Sequence, residues 1–239
     1  MNILVIDVGG THVKCLCTGR KQPRRFESGP AMTAKQMVEG VLKIAKGWRF
    51  ERVSIGYPGP VLHGKPVHDP HNLGPGWVGF DFEAAFGRPV KLVNDAAMQA
   101  LGSYEGGKML FLGLGTGLGS ALIVDGVIEA MELAHLPYRK GRTYEDYVGE
   151  HGLERLGTKK WRRRVMDVVA RLSDALKPDY VVLGGGNARL LKELSATARV
   201  VDNSNAFIGG FRLWKTSRRR LQRASARQNP KLKSGSQAS

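Results

Sequence analysis

The chain has 239 residues, 42% of them apolar, and a formal net charge of +16 at pH 7. That is enough for one large domain or two small ones with a sizeable core. No apolar run reaches membrane-spanning length, and the N-terminus enters a strand without a signal-peptide pattern, so a cytoplasmic protein with no membrane partner is expected. The two cysteines, Cys15 and Cys17, are too few for a zinc site. They are expected on opposite faces of a strand, which argues against a disulfide between them.

Ile3, Leu4, Val5 and Ile6 run into Asp7, and Val8, Gly9, Gly10 and Thr11 lead into a second β-prone run from His12. This reads as strand, tight turn, strand. Glycines leave backbone amides uncovered, and uncovered amides in a turn make a nest for phosphate. Asp7 has little structural reason to end a buried strand. It either caps the turn or holds a divalent cation through water. Residues 19–31 read as a loop with a short strand. Thr33 caps a helix running to about Lys46, with Met37, Val38, Val41, Leu42 and Ile44 as its apolar side. A strand at Arg52–Tyr57 ends in Pro58-Gly59-Pro60.

Residues 61–80 are rich in Gly and Pro, carry His63, His68 and His71, and show no periodicity. A long loop of this kind is usually functional. The histidine spacing matches no metal pattern. Asn72 and Trp77 suit a polar, ring-shaped ligand, Asn as donor and acceptor and Trp as a flat apolar wall. A short helix follows at 81–86, then a strand at 90–93 that ends in Asn94-Asp95 and a helix from Ala96 to about Tyr104. A carboxylate at the carboxyl end of a strand sits where ligands of α/β folds bind, and it can also cap the helix.

Residues 108–126 repeat the opening grammar: a buried strand, the turn Gly115-Thr116-Gly117, and a second strand. Two such turns predict two similar halves facing each other across a cleft. Glu132 and His135 are three apart and share a face if helical, though Pro137 limits any helix. Residues 144–156 read as partly helical. From Lys159 an amphipathic helix is predicted, with Val165, Val168, Val169 and Leu172 inward. Lys159, Lys160, Arg162, Arg163 and Arg164 crowd its first turns, where cations oppose the helix dipole; they form either a solvated basic face or a track for an anion. A strand at 180–183 enters Gly184, Gly185, Gly186 and Asn187, followed by a predicted helix over 188–194 that would aim its dipole at the turn. A short strand and a helix at 208–214 close the pattern. The last 25 residues, from Lys215, hold eight Lys or Arg and no acid, and are expected to be disordered. The tail carries half the net charge, so the body is basic too and attracts polyanions.

Taken together, DVGGTHVK, PGPV, NDAAMQALG, GLGTGLGSALIVDG, MELAHLPY and VVLGGGNAR resemble, in order and spacing, the ROK family of sugar kinases. The resemblance spans roughly residues 2–214. It is strongest to the branch of polyphosphate glucokinases, through the hairpin GLGTGLGSALIVDG, the loop HNLGPGW, and the missing Cys/His zinc cluster. It implies an α/β protein of the actin-like/sugar-kinase/Hsp70 ATPase fold, with two similar α/β lobes around a cleft. The expected lobes are 1–104 and 105–214, with a basic tail over 215–239.

The resemblance also implies roles. Asp95 would be the general base toward the sugar 6-hydroxyl. Asn72, Asn94, Glu132, His135 and, less directly, Glu145 would contact the hexose. Gly9, Gly10 and Thr11 would form the first phosphate turn, Gly115, Thr116 and Gly117 the second, and Gly185, Gly186 and Asn187 would lie beside a nucleotide. Asp7 would position Mg²⁺, and no structural zinc is expected. Glucose, and polyphosphate or ATP, are the implied substrates, and a homodimer the implied assembly. Ala134 departs from the family's usual Gly, and His12 occupies a variable position. Alternatives are an ATP-dependent hexokinase acting on glucose or mannose, a non-catalytic sugar sensor, or a nucleic-acid-binding regulator touching polyanions through the basic tail. ROK repressors carry an N-terminal helix-turn-helix, whereas this sequence opens on the phosphate strand.

Overall fold

A computed structural model describes residues 1–215. The chain opens with β1 (Ile3–Val8), β2 (His12–Cys17) and β3 (Arg24–Glu27), then α1 (Ala34–Ile44) and β4 (Arg52–Tyr57). A small hairpin of β5 (Val61–Leu62) and β6 (Lys65–Pro66) precedes α2 (Phe82–Phe86), β7 (Val90–Asn94) and α3 (Asp95–Ser103). The second half begins with β8 (Lys108–Leu114), β9 (Leu118–Val124) and β10 (Val127–Met131). A 3-10 turn (Leu133–His135), the hairpin β11 (Pro137–Arg139) and β12 (Arg142–Thr143), α4 (Glu145–Val148) and α5 (Glu150–Leu176) follow. The described chain ends with β13 (Tyr180–Gly184), a 3-10 turn (Ala188–Leu190), β14 (Ala198–Val200) and α6 (Asn205–Arg212).

Two five-stranded sheets share one topology, with orders β3-β2-β1-β4-β7 and β10-β9-β8-β13-β14. In each, three antiparallel strands are extended by two parallel ones. Antiparallel neighbours need only tight turns, whereas the parallel step needs a crossover, which α1 and α5 supply. The two glycine turns therefore occupy matching places, one between β1 and β2 and one between β8 and β9. β1 is apolar on both faces because both faces are covered. Leu4 and Ile6 join one core with α1, and Ile3 and Val5 join another with Met98, Ala206 and Phe207.

α3 lies between the two sheets. Its Ala96, Ala97, Ala100 and Leu101 pack on Met109, Phe111, Ala121 and Ile123 of the second sheet, and Met98 reaches the first. Residues 205–214, placed in the second half by chain order, return to the first sheet. Ser54 Oγ donates to the Gly210 carbonyl at 2.7 Å and accepts from Trp214 Nε1 at 2.9 Å, so the buried serine is satisfied. Arg212 donates to the carbonyls of Leu101, Gly102 and Tyr104 at the end of α3. α3 and α6 cross so closely that a Cβ at Gly102 would lie 1.8 Å from Asn205 O, and one at Gly209 1.7 Å from Met98 O.

The capping of α1 follows the sequence: Thr33 accepts from the Gln36 amide while Gln36 Oε1 accepts from Thr33 N–H. Several expectations are corrected. Leu42 is 42% exposed, because it falls beside the Met37–Val38–Val41 stripe rather than on it. Cys15 and Cys17 face the same side, since residues two apart on a strand share a face; both are buried free thiols, and burial pushes Cys15 up to about 12. Residues 61–80 contain the β5–β6 hairpin, turned by His63 and Gly64 at positive φ. The helix expected over 188–194 is only the three-residue 3-10 turn, so it has no dipole to offer a ligand. The basic segment from residue 216 onward lies outside the described residues. No helix among the described residues is long and apolar enough to cross a membrane.

Candidate active site

The carboxyl ends of β1 and β7 bring Asp7 and Asp95 to one place. Asp7 pairs in register with Gly56 of β4, and Gly56 lies next to Val93 of β7. A Cβ on Gly56 would stand 2.4 Å from Met98 Cε and 3.5 Å from Asp95 Cα, so the glycine lets α3 start close above the sheet. Asn94, rather than Asp95, is the N-cap of α3: its Oδ1 accepts from Ala97 N–H at 3.2 Å, and its Nδ2 donates to Gly59 O at 3.0 Å. That frees the Asp95 carboxylate for other work, although Oδ1 accepts from Ala96 N–H at 2.7 Å.

Burial pushes the Asp95 carboxyl up to about 7, helped by the charges of Asp7 and Glu132 and opposed by the Ala96 amide. Burial raises Asp7 as well, with the Lys14 ammonium opposing it. Lys14 was missed in the sequence: three residues separate the strands, which would set Val13 opposite Asp7, but the hairpin pairs Val8 with Val13 and so brings Lys14 opposite Asp7. The equivalent position in the second hairpin is Gly113, so only the first half carries the carboxylate.

Both glycine turns are closed by backbone bonds, Gly9 N–H to His12 O at 3.0 Å and Gly115 N–H to Gly117 O at 3.1 Å. The amides of Gly10, Thr11, Thr116 and Gly117 have no hydrogen-bond acceptor among the described residues, as an anion nest requires. None of Gly9, Gly10, Gly115 and Gly117 adopts positive φ; at Gly9, Gly10 and Gly117 glycine is needed for space, whereas a Cβ on Gly115 would meet nothing within 4 Å. A Cβ on Gly10 would lie 3.1 Å from Asn72 Cβ, and one on Gly117 2.3 Å from Glu145 Oε2. Glu145 Oε2 accepts from Leu118 N–H at 2.9 Å, so this carboxylate braces the second turn. Asn187 donates from its backbone to Leu114 O at 2.9 Å and from Nδ2 to Gly115 O at 3.3 Å. Ser28 Oγ donates to Gly9 O at 2.6 Å and steadies the first turn.

Asn72 is exposed and stands against Gly10 because its loop is pinned on three sides. Tyr57 OH donates to His68 O at 2.6 Å, Asp69 accepts from Trp77 N–H at 2.8 Å, and the Trp77 ring packs 5.7 Å from Tyr57. Trp77 itself is fully buried, so it anchors the loop and offers no wall to a ligand. Glu132 and His135 are exposed at the two ends of the 3-10 turn, where residues three apart eclipse. Buried Ser120 holds that turn, donating to Met131 O and accepting from Leu133 N–H. Among the described residues no group of three His, Cys, Asp or Glu is placed to cage a metal.

The basic run on α5 divides. Gly157, at φ 70°, breaks the helix, so Lys159 does begin a helical segment. Arg162 donates to Leu190 O beside the third glycine turn, and Arg164 turns toward Tyr138. Lys159, Lys160 and Arg163 remain exposed.

The ROK family model matches residues 3–130. The polyphosphate glucokinase of Mycobacterium tuberculosis is 30% identical over 209 residues, covering 77% of this chain and 77% of that one. Among solved structures, the inorganic polyphosphate/ATP-glucomannokinase of Arthrobacter sp. strain KM superposes with a TM-score of 0.75 at 24% identity, over 87% of this chain and 96% of that one. A ROK family glucokinase from Streptomyces griseus, solved with glucose and AMPPNP, gives 0.73 at 18%, over 89% and 99%. The fold is therefore that of the actin-like sugar kinases, two similar α/β lobes.

Proposed function

The chain belongs to the ROK family, and from that premise we propose that it is a hexose kinase that transfers a phosphoryl group from inorganic polyphosphate, ATP or both to the 6-hydroxyl of glucose. It is a phosphotransferase with an alcohol acceptor, as its curated relatives are. One observation carries the reading. Asp95 stands at the β7–α3 junction beside Asp7, with a carboxyl poised near neutrality. A base of that strength takes a hydroxyl proton as the oxygen attacks and releases it readily afterwards.

In this reading Asn72, Asn94, Glu132, His135 and Glu145 orient the hexose, and Asn94 does so with the hydrogen-bonding capacity its cap leaves over. Gly9, Gly10 and Thr11, with Gly115, Thr116 and Gly117, hold the donor phosphates from opposite lobes. Gly185, Gly186 and Asn187 border the far end of the donor. The site fits Mg²⁺. A half-buried carboxyl beside an anion nest is a hard oxygen ligand, and Mg²⁺ commonly takes one or two carboxylates plus substrate phosphates rather than a protein cage. Asp7 would hold it through water, and its charge would offset that of the donor phosphates. The lobe division, a homodimer and a cytoplasmic setting belong to the same proposal.

The test is a matrix of initial rates, with polyphosphate, ATP and GTP against glucose, mannose, fructose and N-acetylglucosamine. Turnover of glucose with polyphosphate supports the reading. Turnover with ATP alone selects the ATP-dependent hexokinase, and no turnover with any pair leaves a sensor or regulator. For the donor track, the triple variant Lys159→Glu, Lys160→Glu, Arg163→Glu is expected to raise the polyphosphate KM by roughly tenfold or more at low salt, with the effect fading as salt screens it. The ATP KM should stay within about twofold, because a short donor ends at the glycine turns. An unchanged polyphosphate KM would place the track elsewhere.

A further inference from the structure

α3 is lined by Ala96, Ala97, Met98, Ala100 and Leu101, and amid them lies a buried glutamine, Gln99, one turn beyond Asp95. A buried amide is costly unless paired, and an apolar residue would fill that space without the penalty. Gln99 Nε2 donates to Asn203 Oδ1 at 2.7 Å. The same oxygen accepts from Gly185 N–H at 3.1 Å. Both acceptor positions of the Asn203 carbonyl are thereby used.

Gly185 sits at φ +85°, and a Cβ there would lie 2.3 Å from Leu114 O, so its backbone rests directly on the strand that enters the second glycine turn. One amide oxygen thus joins the helix that carries Asp95 to the loop that braces Gly115–Gly117. Asn203 also lines a cavity of about 320 Å³ together with Asp7, Lys14, Arg25 and Asp202, which places the junction on the Asp7 side of the cleft.

We propose that Gln99 and Asn203 form a latch that sets Asp95 against the donor turns, so that base and phosphoryl group meet in the reactive geometry. The inference rests on Asp95 being the base. Gln99 and Asn203 are positioning residues: they act through α3 and Gly185, and the variants that test them differ in hydrogen-bond polarity rather than size. Asn203→Asp keeps an oxygen that accepts from both partners. Asn203→Leu is of similar volume and accepts from neither.

Rates are measured with glucose and the donor that gives the fastest turnover. Asn203→Leu is expected to lower kcat by roughly 10- to 100-fold, the order of loss that a misplacement near 1 Å brings, with the glucose KM within about twofold. Asn203→Asp should stay within about threefold of the parent kcat, and Gln99→Met should match Asn203→Leu. The double variant Gln99→Met, Asn203→Leu should be no slower than either single one, as members of one unit are non-additive. Thermal midpoints confirm that each variant folds, and Gln99→Met carries the test if Asn203→Leu does not. Equal effects of Asn203→Leu and Asn203→Asp, or single effects that multiply in the double variant, would overturn the latch. Asp95→Asn is assayed alongside. If it retains the parent rate, the base assignment fails and the latch with it. If it is inactive while Asn203→Leu runs at full rate, the latch alone fails.

Discussion

Asp95→Asn is expected to lower kcat by about 10²- to 10⁴-fold, the range that a positioned general base supplies, while leaving the glucose KM nearly unchanged. The substitution keeps the shape of the side chain and its bond from the Ala96 amide, so the loss reports proton transfer rather than folding. In the parent, kcat/KM should fall as pH drops below about 7, where the Asp95 carboxyl gains a proton. The residual activity of Asp95→Asn should lack that limb. Stability should move the opposite way. The ordinary aspartate value is 3.8, and the folded value is about 7. Between them the folded chain holds a proton that the unfolded chain releases, so stability declines as pH rises through this window. Asn carries no charge, so Asp95→Asn should melt above the parent at pH 8, and the gap should close toward pH 4. A variant that is slow but no more stable at pH 8 would mean that Asp95 is not under strain from its burial and its neighbours Asp7 and Glu132.

The second large effect is on the fold. Gly102→Ala and Gly209→Ala are each expected to destabilise the protein by roughly 3 kcal/mol or more, at or beyond the upper end of overpacking penalties. In both cases the added methyl meets a backbone carbonyl, 1.8 Å and 1.7 Å away, and a backbone cannot rotate aside as a side chain can. Urea unfolding measures this. Gly29→Ala is the control, since a Cβ there meets nothing within 4 Å, and its shift should be within about 0.5 kcal/mol. A loss below about 1 kcal/mol at Gly209 would show that the helices can part without cost. The crossing matters for the candidate site because α6 also rests on β1, where a Cβ at Gly210 would meet Val5. It therefore fixes the helix of Asp95 to the strand of Asp7.

Local chemistry was readable wherever a single segment sufficed. The capping box at Thr33, the inward stripe of Val165, Val168, Val169 and Leu172, and the two glycine hairpins all depend on neighbours a few residues away. Where a residue's environment is built by distant segments, the sequence misled. Trp77 looked like a ligand wall in a loop, but Tyr57 and Phe82 enclose it. The turn at Gly185 looked like a helix start, but its support comes from Asn203 and Leu114.

The amino-acid sequence by itself determined the two-lobed α/β pattern, the paired glycine turns and the carboxylate at residue 95, because strand periodicity, turn composition and motif spacing are properties of contiguous chain. Tertiary structure alone decided the rest. It paired Asp7 with Lys14 and Asp95, set Glu145 under the second turn, sent residues 205–214 back to the first sheet, and shared one oxygen of Asn203 between Gln99 and Gly185. Burial and like charge shift a carboxyl only once the chain has closed around it, and no spacing in the sequence records which distant groups will do so.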